Sequence, residues 1–364
     1  MPLACGIVGL PNVGKSTLFN ALSGAGAEAA NYPFCTITPN RGIAMVPDRR
    51  LQRLAACAGS KAIVPTTVEF VDIAGLVEGA SKGEGLGNQF LAQIRQVDAI
   101  IHVVRCFEDD EVTHVSGSID PDRDIGIIET ELLLKDLLTV DNRLEKTAKL
   151  AKTGDKSAKD DLIFLTQLSE HMNNGGQARA LETHERWDPL LKDLSLLTGK
   201  PVLYVANVSE ADLPDGGSLV EIVRERAERE GAELAVFSAD FEMQIVELDD
   251  DEKMDFLESV GLERPGLDRL IHSAYRLLDL ITFFTLSPNE ARAWTLNRGT
   301  RAAQAAGAIH SDFERGFIRA ETVNYEVYLD QGSETKVRDR GLMRSEGREY
   351  IVKDGDVILF RFNV

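Results

Sequence analysis

The chain has 364 residues, of which 43% are hydrophobic and 27% are charged, and its formal net charge is -19 at pH 7. This length accommodates two or three domains, and the apolar fraction supports buried cores. The negative charge argues against a general polyanion binder, so we expect no DNA partner, and any contact with nucleic acid requires a local basic patch.

Cysteine usage and hydropathy indicate the compartment. The four cysteines, Cys5, Cys35, Cys57 and Cys106, form no C-x-x-C pair, so a zinc site or a redox dithiol is not expected. No secretory segment opens the chain, and no apolar run approaches the roughly 18 residues of a membrane span. We therefore expect a cytoplasmic protein with reduced thiols and no membrane partner.

The first predicted elements are a strand over Leu3–Val8, the loop "GLPNVGKS" over Gly9–Ser16, and a helix over Thr17–Leu22. The loop fits G-x-x-x-x-G-K-[ST] at every fixed position and has the strand–loop–helix context that confirms this motif. Its amides and the helix N-terminus suit a phosphate. The motif predicts that Lys15 bridges the β- and γ-phosphates and that the Ser16 hydroxyl binds Mg²⁺. The predicted nucleotide contacts in this segment are Asn12, Val13, Gly14, Lys15, Ser16 and Thr17.

A second motif, "TVEFVDIAGL", contains a predicted strand over Thr67–Val71 that ends at Asp72. Asp72 is expected to hold Mg²⁺ through a water, as a Walker-B acid does. The Gly75 amide is placed to meet the γ-phosphate, because only a residue without a side chain allows that approach. Thr36, in "NYPFCTITPN" between the two motifs, is the third predicted Mg²⁺ ligand, beside Ser16 and Asp72.

His114, in "EDDEVTHVSGS", follows a predicted strand over Ala99–Val104. The carboxyl ends of parallel strands form the ligand-binding edge of such a sheet, so chain order places His114 on the nucleotide face. We consider it the candidate that orients a hydrolytic water. The alternative is a loop histidine in solvent.

A helical pattern extends from Asp124 to about Leu150, with apolar residues at three- and four-residue spacing. Two further helical runs, 159–171 and 178–197, complete a predicted insertion with a hairpin at its tip. The tip is either a local RNA contact or the solvated face that charged helices usually have. Its lysines are Lys146, Lys149, Lys152, Lys156 and Lys159.

The segment "PVLYVANVSE", Pro201–Glu210, is a predicted buried strand that ends in a polar turn. A guanine-reading protein of this class is expected to have Asn-Lys-x-Asp where this chain has Asn-Val-Ser-Glu. Glu210 is one methylene longer than Asp, which disturbs the bidentate fit to guanine, and Val208 removes the lysine stem that covers the base. Asn207 can donate to and accept from the N6/N7 edge of adenine. These residues favour a relaxed or adenine-preferring site.

After an acidic helical stretch, the pattern turns to strand with "ITFFTLSPN" from Ile281. The chain ends with "REYIVKDGDVILFRFNV", which predicts two strands about a Lys-Asp-Gly-Asp turn.

The motifs "GLPNVGKST", "NYPFCTI", "DIAGLVEGAS" and "NVSE" resemble those of the YchF/Obg-like ATPases, a branch of the Obg-related translation-factor GTPases. The segment "RAAQAAGAIHSDFERGFIRAETVNY" resembles the TGS domain of that family. The resemblance implies an α/β P-loop NTPase with a mostly parallel sheet, an inserted helical coiled-coil hairpin and a C-terminal β-grasp (TGS) domain. The expected bounds are 1–125 and 199–280 for the nucleotide-binding domain, 126–198 for the insertion and 281–364 for the TGS domain.

The same resemblance implies an ATPase that prefers ATP and associates with ribosomes, through ribosomal RNA or protein. We expect this ATPase to depend on Mg²⁺, to turn over slowly and to be a monomer. Leu76 stands where many relatives have the glutamine that orients water, so His114, a stimulating partner or a K⁺ ion at Asn12 has to act instead. Ser238 and Ala239 resemble the last nucleotide-contacting loop. Two alternatives stay open, a GTPase of the same fold and a nucleotide-gated binding module whose hydrolysis is incidental.

Overall fold

The computed structural model describes residues 3–25, 40–73, 92–109, 111–246 and 248–363. The chain divides into two compact units, one of residues 1–44 and 69–274 and the other of residues 45–68 and 275–364. Among the described residues, no helix combines the length and apolar character that crossing a bilayer requires.

Helices and strands are numbered here in chain order. The strands are β1 Ala4–Val8, β2 Arg41–Met45, β3 Ala62–Val64, β4 Thr67–Asp72, β5 Ala99–Arg105, β6 Val202–Asn207, β7 Glu233–Phe237, β8 Leu280–Leu286, β9 Glu290–Asn297, β10 Phe317–Asn324, β11 Arg344–Glu346 and β12 Asp356–Phe362. The α-helices are α1 Lys15–Ala25, α2 Arg49–Ala58, α3 Pro121–Lys152, α4 Lys156–Asn173, α5 Asp188–Leu194, α6 Gly217–Glu230, α7 Ala239–Val246, α8 Asp250–Ser259, α9 Gly266–Leu277, α10 Ala302–Ile309, α11 Ser311–Arg315, α12 Tyr325–Gln331 and α13 Glu334–Asp339.

The first unit is built on a six-stranded sheet of order β2-β4-β1-β5-β6-β7. The pairs β1–β4, β1–β5, β5–β6 and β6–β7 are parallel, and every residue of β1, β5 and β6 is buried. Continuous apolar runs are typical of parallel strands that are covered on both faces. β1 leads into the phosphate loop, and β4, β5 and β6 end at Asp72, Arg105 and Asn207. The loop and these three residues therefore lie at one edge of the sheet.

The predicted helical insertion is present as a hairpin of α3 and α4. Asp155 begins α4 by accepting hydrogen bonds from the amides of Ser157 and Ala158. Apolar side chains from both helices form a common core with the segment that follows them. The third predicted run, 178–197, is helical only in two 3-10 turns and in α5, so that part of the prediction was wrong. Its sequence "LETHERWDP" has polar and proline residues that interrupt a longer helix.

Asp136 fastens the base of this insertion. Its side chain is fully buried on α3 and accepts hydrogen bonds from the amides of Leu197 (2.9 Å) and Thr198 (2.7 Å) and from the Thr198 hydroxyl (2.7 Å). Burial raises the pKa of this carboxyl, and the three hydrogen bonds oppose that rise. The acid therefore binds the returning chain to α3 just before β6 begins.

The second unit contains a mixed sheet of order β11-β10-β12-β8-β9-β3. The pairs β8–β9 and β10–β12 are antiparallel, and β12–β8 is parallel. Adjacent residues of a strand point to opposite faces, and Phe283 and Phe284 belong to two different apolar clusters. The first cluster includes α10 and the second includes α2, α12 and α13, so helices cover both faces.

Two sequence predictions differ from this unit. Residues 45–68, expected in the nucleotide-binding domain, belong here because β3 pairs with β9 and Leu51 and Leu54 of α2 pack in the second cluster. The predicted strand before the Lys-Asp-Gly-Asp turn is reduced to one bridge between Arg301 and Ile351. Asp356 stabilises that turn, since its carboxylate accepts hydrogen bonds from the Lys353 amide and the Tyr350 hydroxyl.

Replacement of Asp136 by alanine leaves two amides and a hydroxyl buried without an acceptor. We expect Asp136→Ala to lower the free energy of unfolding by about 3 kcal/mol, because unpaired buried donors lose their solvation without compensation. Urea titration followed by circular dichroism measures the change. Asp141→Ala, an exposed carboxylate on the same helix, is the matched control, and an equal effect of the two changes would contradict the assigned role.

Candidate nucleotide-binding site

The phosphate loop joins β1 to α1 and has a backbone that its sequence permits. Gly14 has φ 94°, and a Cβ at this position would lie 2.2 Å from Asn207 Nδ2. Both the left-handed conformation and the close approach therefore require glycine. Asn12 also has positive φ (63°), which asparagine tolerates better than most residues. The Gly14 carbonyl accepts from the Leu18 amide (2.9 Å), so α1 begins directly from the loop.

Lys15 lies inside this loop with only 8% of its surface exposed. Its Nζ donates to the Leu10 carbonyl at 2.7 Å, so the side chain folds back along the loop. Burial lowers the pKa of the ammonium group to about 8, and the Asp72 carboxylate partly opposes this shift. A buried cation close to a loop of amides is the arrangement that a polyphosphate stabilises.

Asp72 ends β4 opposite Ile7 of β1 and is half-buried. Burial raises the pKa of its carboxyl, while Lys15 lowers it. Ser16, the second residue of α1, is exposed at the same edge of the sheet. The oxygen donors of Ser16 and Asp72 fit Mg²⁺, which binds proteins through one or two such groups together with substrate phosphates. The predicted contacts at Thr36, Gly75 and Leu76 lie outside the described residues.

The Asn207 side chain connects the phosphate loop to the loop before α7. Asn207 Nδ2 donates to the Val13 carbonyl at 3.0 Å, and its Oδ1 accepts from the Ala239 amide at 2.9 Å. The side chain is buried, so the amide serves as an internal clasp. One N–H and one oxygen lone pair remain for a base. The structure thus brings Val13, Gly14, Asn207 and Ala239 together.

The remaining predicted base contacts are distributed differently. Val208 and Ser238 are buried, and the Val208 amide donates to the Phe237 carbonyl at 2.8 Å. Glu210 begins a 3-10 turn, Glu210–Asp212, and is exposed. The carboxylate that replaces the guanine-reading aspartate therefore faces solvent in this structure.

His114 is buried, which contradicts the alternative of a solvent-exposed loop histidine. Its Nδ1 accepts from the Ser116 amide at 3.1 Å, so Nε2 carries the proton and donates to Asp124 Oδ2 at 2.8 Å. The preceding carbonyl, that of Thr113, accepts from Asn12 Nδ2 at 3.0 Å. The loop therefore lies against the phosphate loop, but both ring nitrogens of His114 have partners, and a catalytic role requires that one is released.

Two features of this unit escaped the sequence prediction. Arg105, the last residue of β5, is almost completely buried and donates to carbonyls of the loop that carries His114. An arginine at the end of the apolar run "AIIHVVR" was the available signal.

The second feature is a buried ionic cluster at the base of the insertion. Arg179 Nη2 lies 3.0 Å from Glu129 Oε1 and 2.9 Å from Glu230 Oε2, and Arg226 pairs with the same two acids. The Tyr204 hydroxyl lies 3.0 Å and 2.8 Å from these carboxylates. No local motif announces this cluster, because its members come from α3, the return segment, β6 and α6.

Comparison with known proteins matches two parts of the chain to family models. One family model, described as a 50S ribosome-binding GTPase, matches residues 4–142, and the YchF-GTPase C-terminal model, described as a protein of unknown function, matches residues 280–363. The chain is 56% identical over 366 positions to the ribosome-binding ATPase YchF of Bacillus subtilis (strain 168), covering 100% of both chains. It is 52% identical over 364 positions to the protein of that name from Escherichia coli O157:H7, again covering 100% of both.

The chain belongs to the YchF family. The solved structure of the Schizosaccharomyces pombe YchF GTPase matches with a TM-score of 0.90 at 36% identity, over 99% of this chain and 97% of that one. The α/β P-loop fold expected from the resemblance is therefore confirmed.

In this YchF-family chain, a buried acid lies one turn beyond the Ser238–Ala239 loop. Glu242 is 1% exposed and accepts a hydrogen bond from the Gly266 amide, the first residue of α9. Its Oε2 has no hydrogen-bond partner among the described residues. Burial raises the pKa of Glu242 to about 7, although the Gly266 and Leu267 amides and Arg269 oppose the shift.

The pKa of Glu242 predicts a pH-dependent stability. The folded pKa (about 7) exceeds the ordinary value of 4.5, so the folded state retains the proton while the unfolded state loses it, and stability falls as pH rises through this window. The Glu242→Gln side chain stays neutral at every pH. The unfolding free energy of this variant minus that of the parent should therefore increase by roughly 2–3 kcal/mol from pH 4.5 to pH 8. Urea titrations across this range measure the difference. The control is Glu228→Gln, an exposed acid of α6, and a pH-independent gap for Glu242→Gln would refute the expectation.

Proposed function

We propose that this chain is a Mg²⁺-dependent ATPase of slow intrinsic turnover that works as a nucleotide switch in association with ribosomes, as a monomer in the cytoplasm. The observation that carries the nucleotide part is the joined phosphate loop. Lys15 is buried beside the loop amides, and Asn207 links the Val13 carbonyl to Ala239. The names of the bacterial relatives, ribosome-binding ATPase YchF, support the choice of partner and of hydrolysis.

The preference for ATP follows from the polar groups at the end of β6. Asn207 keeps one donor and one acceptor for the adenine edge after it has made its two internal bonds. Guanine needs a carboxylate that accepts from N1 and N2, and Glu210 lies exposed in a 3-10 turn. Guanine would leave its donors without this acceptor, which weakens GTP relative to ATP.

The residues of the chain have separate tasks in the proposed hydrolysis. Lys15 and the amides of residues 12–17 hold the phosphates, and Ser16, Thr36 and Asp72 are the proposed ligands of Mg²⁺. The ion supplies neutralisation of the charge that develops on the phosphate oxygens. The Gly75 amide is the proposed donor to the γ-phosphate. Since Leu76 cannot orient a water, we assign this task to His114, with K⁺ at Asn12 or a ribosomal partner as the alternatives.

GTP is the competing substrate, because the family model and the yeast relative are described as GTPases. We expect ATP to displace a fluorescent adenine nucleotide in Mg²⁺ at a concentration at least about tenfold below that of GTP. Lys15→Ala should abolish binding of the fluorescent nucleotide itself, since it removes the buried cation that faces the phosphates. Lys192→Ala, an exposed lysine of the insertion, is the control. Tighter binding of GTP would replace the ATPase by the GTPase.

His114→Ala tests the hydrolytic step separately from binding. We expect kcat for ATP to fall by at least about 100-fold with nucleotide affinity within about threefold of the parent, because positioned acid–base groups typically contribute 10²- to 10⁴-fold. Phosphate release in single-turnover reactions measures the rate. His184→Ala, an exposed histidine of the insertion, is the control, and hydrolysis by His114→Ala at the parent rate would remove His114 from the mechanism.

The same variant separates a switch from a binding module. Co-sedimentation with ribosomes in ATP or ADP should depend on the bound nucleotide in both proteins. If turnover is the timer of the switch, His114→Ala remains in its ATP-dependent state for longer than the parent. Identical release kinetics would favour the nucleotide-gated module whose hydrolysis is incidental.

A further inference from the structure

The segment between β5 and α3 is folded around the side chain of Arg105. This residue is only 2% exposed, although it carries a guanidinium group. Its Nε donates to the Phe107 carbonyl (3.1 Å), Nη1 to the Val112 carbonyl (2.8 Å) and Nη2 to the Asp109 carbonyl (3.2 Å). The guanidinium carbon also lies 4.6 Å from the centroid of the Phe107 ring.

Because the guanidinium group of Arg105 is buried, the loop must keep the conformation in which its carbonyls accept these hydrogen bonds. A guanidinium group that leaves water must recover its hydrogen bonds, and here backbone carbonyls from three positions of one short segment provide them. Arginine presents five N–H donors in a planar fork, whereas lysine has one ammonium group and cannot reach three separated carbonyls with the same geometry. The path of residues 107–109 and 111–112, the described part of this segment, is therefore determined by Arg105, which precedes it.

The path of this segment decides where the next two residues lie. The Thr113 carbonyl accepts from Asn12 Nδ2 of the phosphate loop, and His114 is held between Ser116 and Asp124. These bonds come directly after the last carbonyl that Arg105 binds, that of Val112. A shift of the Val112 carbonyl is therefore transmitted to both Thr113 and His114.

The backbone position of Arg105 is fixed by the sheet. Its backbone lies opposite Asn207 in the β5–β6 register, and the next amide, that of Cys106, donates to the Asn207 carbonyl at 2.8 Å. Asn207, which joins the phosphate loop to the loop before α7, and Arg105, which binds the loop that carries His114, are thus neighbours at the same sheet edge. The sheet fixes the position at which the loop begins, and the guanidinium group fixes the path of the loop backbone.

We propose that Arg105 is the positioning residue of the hydrolytic site: it holds residues 107–109 and 111–114 in the conformation that places the Thr113 carbonyl on Asn12 and His114 beside the phosphate loop. The proposal deepens the proposed function and rests on it for the kinetic consequence. We assign Arg105 a positioning role and not a nucleotide contact, because its three assigned hydrogen bonds go to carbonyls of its own loop.

The kinetic test compares Arg105→Met and Arg105→Lys with Arg179→Met, which removes another arginine of the same unit, with a side chain 17% exposed and paired with two acids. We expect kcat for ATP to fall at least about tenfold in Arg105→Met, with nucleotide affinity within about threefold, because misplaced catalytic groups cost rate before binding. Arg105→Lys should recover part of the rate. Arg179→Met should lower thermal stability and leave kcat unchanged. A folded Arg105→Met with the parent kcat would overturn the proposal.

A double-variant comparison asks whether the two residues act through one loop. If Arg105 acts by placing His114, Arg105→Lys should slow hydrolysis by less than about twofold in the His114→Ala background. Losses that multiply independently would show that Arg105 acts elsewhere and would contradict the assignment.

Hydrogen–deuterium exchange tests the same proposal without any hydrolysis. Peptides that cover 106–117 include the Ser116 amide bonded to His114 and the Gly117 amide bonded to the His114 carbonyl (3.1 Å). Arg105→Lys should speed exchange at least about tenfold here and leave peptides of α4 unchanged, as expected for a local opening. Unchanged exchange in 106–117 would refute the proposal, even if the chain hydrolyses no ATP and the proposed function itself fails.

Discussion

The amide of Asn207 is the contact on which the nucleotide site depends. It joins two loops that are distant in sequence, since Val13 follows β1 and Ala239 follows β7. A buried amide with one partner on each side can hold its two loops only if β1, β6 and β7 end at the same level. The parallel sheet meets this condition, and glycine at position 14 meets the remaining one, because any side chain there would collide with the amide. One side chain therefore joins the phosphate loop to the loop before α7.

The insertion is connected to the same framework through its base. Glu129 and Asp136 lie in the first half of α3, and they bond to Arg179, Leu197 and Thr198 on the returning chain. Glu129 also meets Tyr204 of β6, three residues before Asn207. From Asp136 to its end, α3 extends about 24 Å further, at 1.5 Å per residue. This described part of the helix has no buried acid that bonds to the core. The base of the hairpin thus belongs to the nucleotide unit, while the exposed lysines are far along the arm.

Local patterns in the sequence predicted a large part of this arrangement. The phosphate loop, Asp72 and Asn207 were found because apolar runs locate the parallel strands and polar residues at their ends mark the functional edge. Side-chain partners were not predictable in this way. The clasp role of Asn207 depends on Ala239, the burial of His114 depends on Asp124, and both partners follow from tertiary packing. The transfer of 45–68 to the second unit has the same origin, since pairing of β3 with β9 outweighs proximity in the chain.

Two buried cations at the edge of this sheet show how a chain of net charge -19 can serve a polyphosphate. Lys15 has one carbonyl partner and a lowered pKa, so its solvation is incomplete and a bound phosphate would complete it. Arg105 has three carbonyl partners from its own loop, so its solvation is supplied by the fold. The difference separates their tasks. Lys15 is left with donors for a ligand, whereas the donors of Arg105 that have assigned partners bind the backbone of its own loop. Local burial and hydrogen bonding, and not the total charge, therefore determine what this edge of the sheet can bind.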